Sequence, residues 1–398
     1  MALAHVVMVS LDAVTGNEAE WLAQMPAVGA LARRGTLTTG VASVFVSNTY
    51  PAHASIVSGQ LPHVHRITEN CLYQPQYQAA DWYWYRRGLQ GDTVYDAACR
   101  AGLTTCNVMW PVTAGADITW NMPEIFVPRQ LWKQPYAMLQ NGSKVFQLGA
   151  MARHIWRLKA FMQPGVDNFL AHTAADAIRK HTPGLTMVHL TDVDVNKHHY
   201  GPKAPEVEAA LERLDGQVGL LMQAVERAGM ADTTGFVLLG DHGCMPVERC
   251  VDPNQLLGRY ESVAGWQLAG GTAFLRERQA NIDLWEDVGL REALLAYAAG
   301  LCGTNGILRM LDAEEMQVSG MDTEAVCGIE AAPGVSFGEK HAGQHGYSLR
   351  QPADLYTTFH LTAAPSGTAV RQQGGCITDV AGLVAEMLGI TMDRHKKD

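Results

Sequence analysis

A chain of 398 residues, 47% of them apolar and 18% charged, is long enough for more than one hydrophobic core and apolar enough to fill it. Its formal charge of −10, from 30 Lys and Arg against 40 Asp and Glu, lacks the cationic footprint of a duplex nucleic-acid binder. The longest basic run is the terminal RHKK at 394–397, so an anionic substrate would need local positive charge such as metal ions.

The N-terminal run MALAHVVMVSLDAV has no basic leader and is interrupted by Asp12, so it reads as a strand and not as a signal peptide. No stretch has the roughly 20 uncharged apolar residues of a membrane helix. A cytoplasmic protein with no membrane partner is expected. The eight cysteines are scattered without a CxxC pair and read as reduced thiols.

In chain order, AHVVMVSLD, LTTCNVMWP, GLTMVHLTD and TGFVLLGDHG are short apolar runs whose ends turn polar, the pattern of buried strands. Between them, TVYDAACRAG and PEVEAALERLDGQVGLLMQAVERAG carry apolar residues at helical spacing, the second stopping at Gly229. The alternation predicts an α/β fold, a mostly parallel central sheet with helices on both faces and ligands at the carboxyl ends of the strands. The Trp-, Met- and Gln-rich stretch from about 115 to 183 is expected to be a cap-like insertion. The mixed stretch at 251–336, with a helix in WEDVGLREALLAYAAGLCG, is expected to be a second small insertion. Core α/β segments are then 1–114, 184–250 and 337–398.

The stretch HLTDVDVNKHHYGP, at 189–202, places Asp192, Asp194 and Asn196 as a calcium loop would, but such a loop needs Gly at its sixth position and Glu at its twelfth. Lys197 and Lys203 stand there, leaving an acid and imidazole pair, Asp194 with His198, that suits zinc or manganese better. Asp12 and the neighbours Asp241 and His242 sit at other strand ends, Gly243 permits a tight turn, and KHAGQHGYS offers His341 and His345. Three carboxylates and three imidazoles suffice for two three-ligand sites with open positions, the layout of two-metal phosphoryl chemistry. Thr49, in FVSNTYPAHASIVSG, precedes a segment able to start a helix, where N–H groups and the helix dipole favour an anion. A metal-bound hydroxyl there would be a nucleophile.

Taken singly, Asp12 reads more readily as a helix cap, Thr49 as a turn or capping residue, and His53, His63, His65, His199 and His341 as structural or surface histidines. The aromatic run WYWYRRG at 82–88 reads as core packing before a nucleobase-stacking platform. One mechanism that uses the acids, imidazoles and threonine together outweighs their separate readings.

Five ordered blocks, SLD, NTYPAHASIVSG, DVNKHHYGP, DHG and GQHGY, resemble the alkaline phosphatase superfamily, most closely its nucleotide pyrophosphatase/phosphodiesterase branch. The resemblance implies one metal on Asp194, His198 and His345, a second on Asp12, Asp241 and His242, and Thr49 as nucleophile. The spacing to the Gly201-Pro202 pair selects His198 over His199. The family's transition-state asparagine, 21 residues after its threonine, falls on Asn70. Four positions depart from the family pattern: Ala13 where glycine is usual, Ala52 where asparagine is usual, and Ser348 and Leu349 in place of Asp-Asn.

The implied reaction is in-line displacement through a threonyl-phosphate intermediate, on a phosphodiester or pyrophosphate of a small nucleotide-like substrate. Two divalent ions are expected, zinc first, with manganese or iron as alternatives. Arg66 is the one arginine near the Thr49 block, which favours diesters over monoesters. A phosphonate hydrolase or phosphomonoesterase of the same superfamily is the alternative enzyme, and a non-catalytic metal-binding protein the alternative class.

Overall fold

The structure is a computed structural model that describes residues 2–77, 79–127, 129–159, 162–279, 284–321, 324–365 and 375–393; the basic run at 394–397 lies outside the described residues. Its strands are β1 (His5–Leu11), β2 (Gly35–Val41), β3 (Thr105–Val108), β4 (Trp120–Met122), β5 (Leu185–Leu190), β6 (Thr234–Leu239), β7 (Met245–Val251), β8 (Ala264–Leu268), β9 (Thr272–Glu277), β10 (Ile307–Leu311), β11 (Cys327–Ala331), β12 (Gly334–Phe337), β13 (Gly343–Gln344) and β14 (Thr358–Ala363).

Seven strands form the central sheet in the order β2-β14-β6-β1-β5-β3-β4. All its pairs are parallel except those of β14, which runs antiparallel to both β2 and β6. Side chains alternate across a strand, so β1 feeds two cores: Val7, Val9 and Leu11 join one, Val6 and Met8 the other. Helices Gly165–His181 and Pro205–Arg227 bury Phe169, Ile178, Leu214 and Leu221 in the first core. Helices Thr49–Ser58, Val94–Arg100 and Asp379–Leu388 supply Ile56, Val94 and Leu383 to the second. Both faces of the sheet are therefore covered, as a mostly parallel sheet requires.

A four-stranded antiparallel sheet, β10-β11-β9-β8, has its own core around Trp266, Leu275, Leu294 and Ile329 and accounts for much of the segment 251–336. A small sheet, β12-β7-β13, packs through β12 against β9 and β11 of the four-stranded sheet.

The segment 115–183 differs from the expected cap. Its β4 adds a parallel edge strand to β3, and its helix Gly165–His181 covers the sheet with an Ala- and Phe-rich face. The pattern was hidden because β4 is three residues long and polar at Asn121. Among the described residues no helix is long and apolar enough to cross a membrane, and all eight cysteines are unpaired.

Candidate metal centre and nucleophile

The three middle strands, β6, β1 and β5, end together and deliver the acids. Asp12 follows β1, Asp241 stands two residues beyond β6, and Asp194 lies in helix Asp192–Tyr200, which starts just after β5. That stretch is a helix and not an ion-binding loop, which disposes of calcium geometry. Four-residue spacing stacks Asp194 and His198 on one face, with His198 Nε2 3.4 Å from an Asp194 oxygen, while His199 is exposed.

All six expected ligands converge. Ligand atoms of Asp194, His198 and His345 lie within 4.8 Å of one another, and so do those of Asp12, Asp194 and His242. Asp241 joins the second group through His242, whose Nε2 is 3.3 Å from Asp241 Oδ2 and 3.4 Å from Asp12 Oδ1. Asp194 thus stands between the two halves of the centre.

The donors are prepared for a cation. In each of the three histidines, Nδ1 donates to a fixed acceptor: His198 to Gly343 O at 2.8 Å, His242 to Gly243 O at 3.0 Å, His345 to Asn48 Oδ1 at 2.6 Å. A carbonyl oxygen only accepts, so Nδ1 carries the proton and Nε2 keeps its lone pair for the centre, the arrangement metal-binding histidines adopt. Asp12 Oδ1, Asp194 Oδ1 and Asp241 Oδ2 are buried without a hydrogen-bond partner, and buried polar atoms are rarely left so. Burial, and after it the carboxylates of Asp241 and Asp194, push Asp12 well above the usual carboxylate range. Burial and the neighbouring histidines, His242 foremost, hold His345 well below the usual imidazole value and therefore neutral. Three crowded acids and three imidazoles whose Nδ1 atoms are tied to fixed acceptors fit bound divalent cations, whose charge would relieve the acids.

Thr49 opens helix Thr49–Ser58 and sets its hydroxyl 3.2 Å from His242 Nε2. The helix has no side-chain cap because Asn48, at the cap position, is used elsewhere: its Nδ2 donates to Glu69 at 2.6 Å while its Oδ1 holds His345. Asn70 Oδ1 accepts from Tyr50 N at 2.9 Å, which anchors the amide beside Thr49 and leaves its Nδ2 as a donor. Arg66 is paired with Glu324, and no arginine or lysine hydrogen-bonds Thr49 among the described residues.

Several residues escaped the reading of the sequence. His189 bridges Asp12 Oδ2 at 3.0 Å and a Glu124 oxygen at 3.5 Å; burial opposes its charge, but these acids outweigh it and raise its pKa well above the ordinary value. His53, for which no role was required, is fully buried; its Nδ1 donates to Thr49 O at 2.8 Å and lies 3.5 Å from Asp241 Oδ2. Lys197, considered only as a misfit in a calcium loop, is buried and donates to Ala13 O at 2.8 Å and to Glu18 at 2.7 Å. No local motif signals these contacts. His341 lies 5.0 Å from the His198 ring, outside both ligand groups.

Three single-residue readings also find their place. Asp12 caps no helix, since Thr15 caps the helix that follows. Gly243 serves close packing: a Cβ there would meet Leu355 O at 2.3 Å and Tyr356 Cα at 2.4 Å. Within the aromatic run Trp84 is buried, and Trp82 packs edge-on against Tyr50 with centroids 5.2 Å apart.

A central sheet with acids and histidines gathered at the ends of its middle strands defines an alkaline-phosphatase-like protein. Residues 6–293 match the model of the type I phosphodiesterase/nucleotide pyrophosphatase family, and the chain belongs to that family. Its fold is shared by murine ectonucleotide pyrophosphatase/phosphodiesterase 5, solved as an inactive threonine-to-alanine variant in complex with AMP. That match has a TM-score of 0.70 at 17% identity and covers 98% of this chain and 96% of the other. Among curated relatives, human ectonucleotide pyrophosphatase/phosphodiesterase family member 1 is 27% identical over 236 residues, 56% of this chain and 21% of its own length. Venom phosphodiesterase 2 of Crotalus adamanteus is 22% identical over 250 residues, 60% of this chain and 26% of its own length. The chain thus spans about a fifth to a quarter of the length of these relatives.

Proposed function

We propose that the chain is a metal-dependent hydrolase of phosphodiester or pyrophosphate bonds in small nucleotide-like substrates, acting through a threonyl-phosphate intermediate. The observation that carries this reading is the convergence of three unpartnered carboxylate oxygens and three imidazole Nε2 atoms beside the Thr49 hydroxyl. The inactive threonine variant of the murine relative, holding AMP, supports it from outside this chain.

Asp194, His198 and His345 would hold one cation and Asp12, Asp241 and His242 the other, zinc being the first choice for this Asp and His donor set and manganese or iron the alternatives. When bound, two such ions acidify a hydroxyl or water and offset the charge of the phosphoryl group in transfer. Thr49 Oγ1 bonds to phosphorus as the opposite P–O bond breaks, and the leaving oxygen departs with the electron pair. Asn70 Nδ2 donates to a nonbridging oxygen from its anchored position. Water then attacks the same phosphorus and releases Thr49. Arg66 is tied to Glu324, and among the described residues no arginine or lysine hydrogen-bonds Thr49, which favours diesters and anhydrides over monoesters.

Zinc- or manganese-loaded protein should hydrolyse bis-p-nitrophenyl phosphate faster than p-nitrophenyl phosphate or p-nitrophenyl phenylphosphonate. Thr49→Ala should lower the diester rate by roughly three orders of magnitude or more. Preference for the monoester or phosphonate would reassign the substrate within the superfamily. Loss of all turnover in the loaded wild type would make the chain a metal-binding protein without catalysis.

A further inference from the structure

The stretch from Ile125 to Val166 contains six Lys and Arg and no Asp or Glu, in a chain whose remaining residues carry 24 Lys and Arg against 40 acids. Within it, helix Lys144–His154 turns Phe146 and Ala150 inward. Its opposite face continues through the turn Ile155–Arg157 as a stripe of Val145, Leu148, Ile155 and Trp156, spaced at three, seven and one residues. Val145 is 87% exposed and Trp156 66%, and the preceding turn exposes Trp132 by 78%. A soluble protein seldom shows water such a run of large apolar side chains without using it.

Arg129 pairs with Asp81 and Arg153 with Asp176, which Arg179 and Lys180 share, whereas Lys133, Lys144, Arg157 and Lys159 have no salt-bridge partner among the described residues. The Arg157 guanidinium lies 4.0 Å from the Trp156 ring, and the Lys133 ammonium 5.0 Å from that of Trp132. Cations paired with tryptophans along an apolar stripe match the boundary of a bilayer, where rings sit among headgroups and cations meet lipid phosphates. A twofold contact between copies would set these like charges against their own equivalents, because an isologous interface uses the same patch twice.

We propose that this face docks the protein on an anionic lipid surface, lying in the headgroup region without spanning the bilayer. None of the residues of this face belongs to either ligand group of the metal centre, and the proposal stands whether or not the chain hydrolyses phosphodiesters.

Co-sedimentation of the full chain with vesicles of phosphatidylcholine, with and without phosphatidylglycerol, tests it. Binding should require the anionic lipid, weaken as salt rises, and shift the tryptophan emission to the blue. Each cation near such a surface is worth about a fivefold change in partitioning, so Lys144→Gln combined with Lys159→Gln should weaken binding roughly 25-fold. Leu148→Ser with Trp156→Ser should also release the protein while leaving its melting temperature unchanged. Absence of binding, equal binding to neutral vesicles, or binding that neither double variant weakens would overturn the proposal. So would a dimer in light scattering that Trp156→Ser dissolves, which would assign the face to a second copy.

Discussion

Ala13 occupies the left-handed region with φ of 59°, and its N–H donates to Asp241 Oδ1 at 3.0 Å. The backbone must turn there to join the acids of β1 and β6, which explains why glycine is the family's usual residue. An alanine in this conformation costs about 1–2 kcal/mol, and glycine returns about 0.4–1 kcal/mol of that as chain entropy in the unfolded state. Ala13→Gly should therefore stabilise the protein by up to about 1.5 kcal/mol in denaturant unfolding and leave metal affinity intact; a destabilised variant would mean that the turn is not strained.

Burial lifts Glu69 from 4.5 to about 7, although Asn70 N and Asn48 Nδ2 donate to it. The folded state keeps the proton that the unfolded chain releases above the lower value, so stability should fall as pH rises from about 4.5 to 7 and level off beyond. The full penalty is about 3 kcal/mol. Glu69→Gln should flatten that decline, measured by urea unfolding across the range; an unchanged slope would place the titration elsewhere.

The candidate ligands were legible because each lies in a short block with its own chemistry, an acid at a strand end or an acid four residues before an imidazole. Their supports were not. Asn48 meets His345 across 297 residues and His189 meets Asp12 across 177, distances that topology sets and local spacing does not reveal.

Helix Asp192–Tyr200 has the polar sequence DVDVNKHHY, which by itself gives weak reason to be helical. Tertiary contacts hold it at both ends. Asp167, from helix Gly165–His181, accepts from the backbone N–H groups of Thr191 and Asp192 at 3.2 and 2.9 Å, and Lys197 ties the helix to Ala13 and Glu18. Lys197 therefore joins the element carrying Asp194 and His198 to the loop carrying Asp12. Lys197→Met strands a buried carbonyl and unpairs Glu18, a loss of about 3 kcal/mol, and should weaken metal binding. Calorimetric metal titration of the folded variant decides this: an unaltered affinity would show that loop and helix hold their places independently.

At this scale the largely apolar strands β1, β5 and β6, and the run LTTCNVMWP that holds β3, were plain. The partly polar β2 (GTLTTGV) and β14 (TFHLTA) were not, because threonines blur the apolar run and their burial depends on the sheet they join.

Across the whole molecule, the centre draws on residues from 12 to 345 and on both the central sheet and the small β12-β7-β13 sheet beside it. Cations that bind only the folded state stabilise it by about 4 kcal/mol at a thousandfold excess over Kd. Chelation should therefore lower the melting temperature by several degrees and zinc should restore it, with Asp194→Ala insensitive to either treatment; a melting temperature indifferent to chelator in the wild type would mean that the cluster holds no ion.

The long reach of the centre also bears on how the protein is made. A nascent chain exposes Asp194 and His198 well before His345 leaves the ribosome, so during synthesis it offers passing metals an incomplete set of ligands. On the proposed metal reading, selective loading would wait until His345 docks on Asn48, so that the folded protein and not the nascent chain would choose the ion.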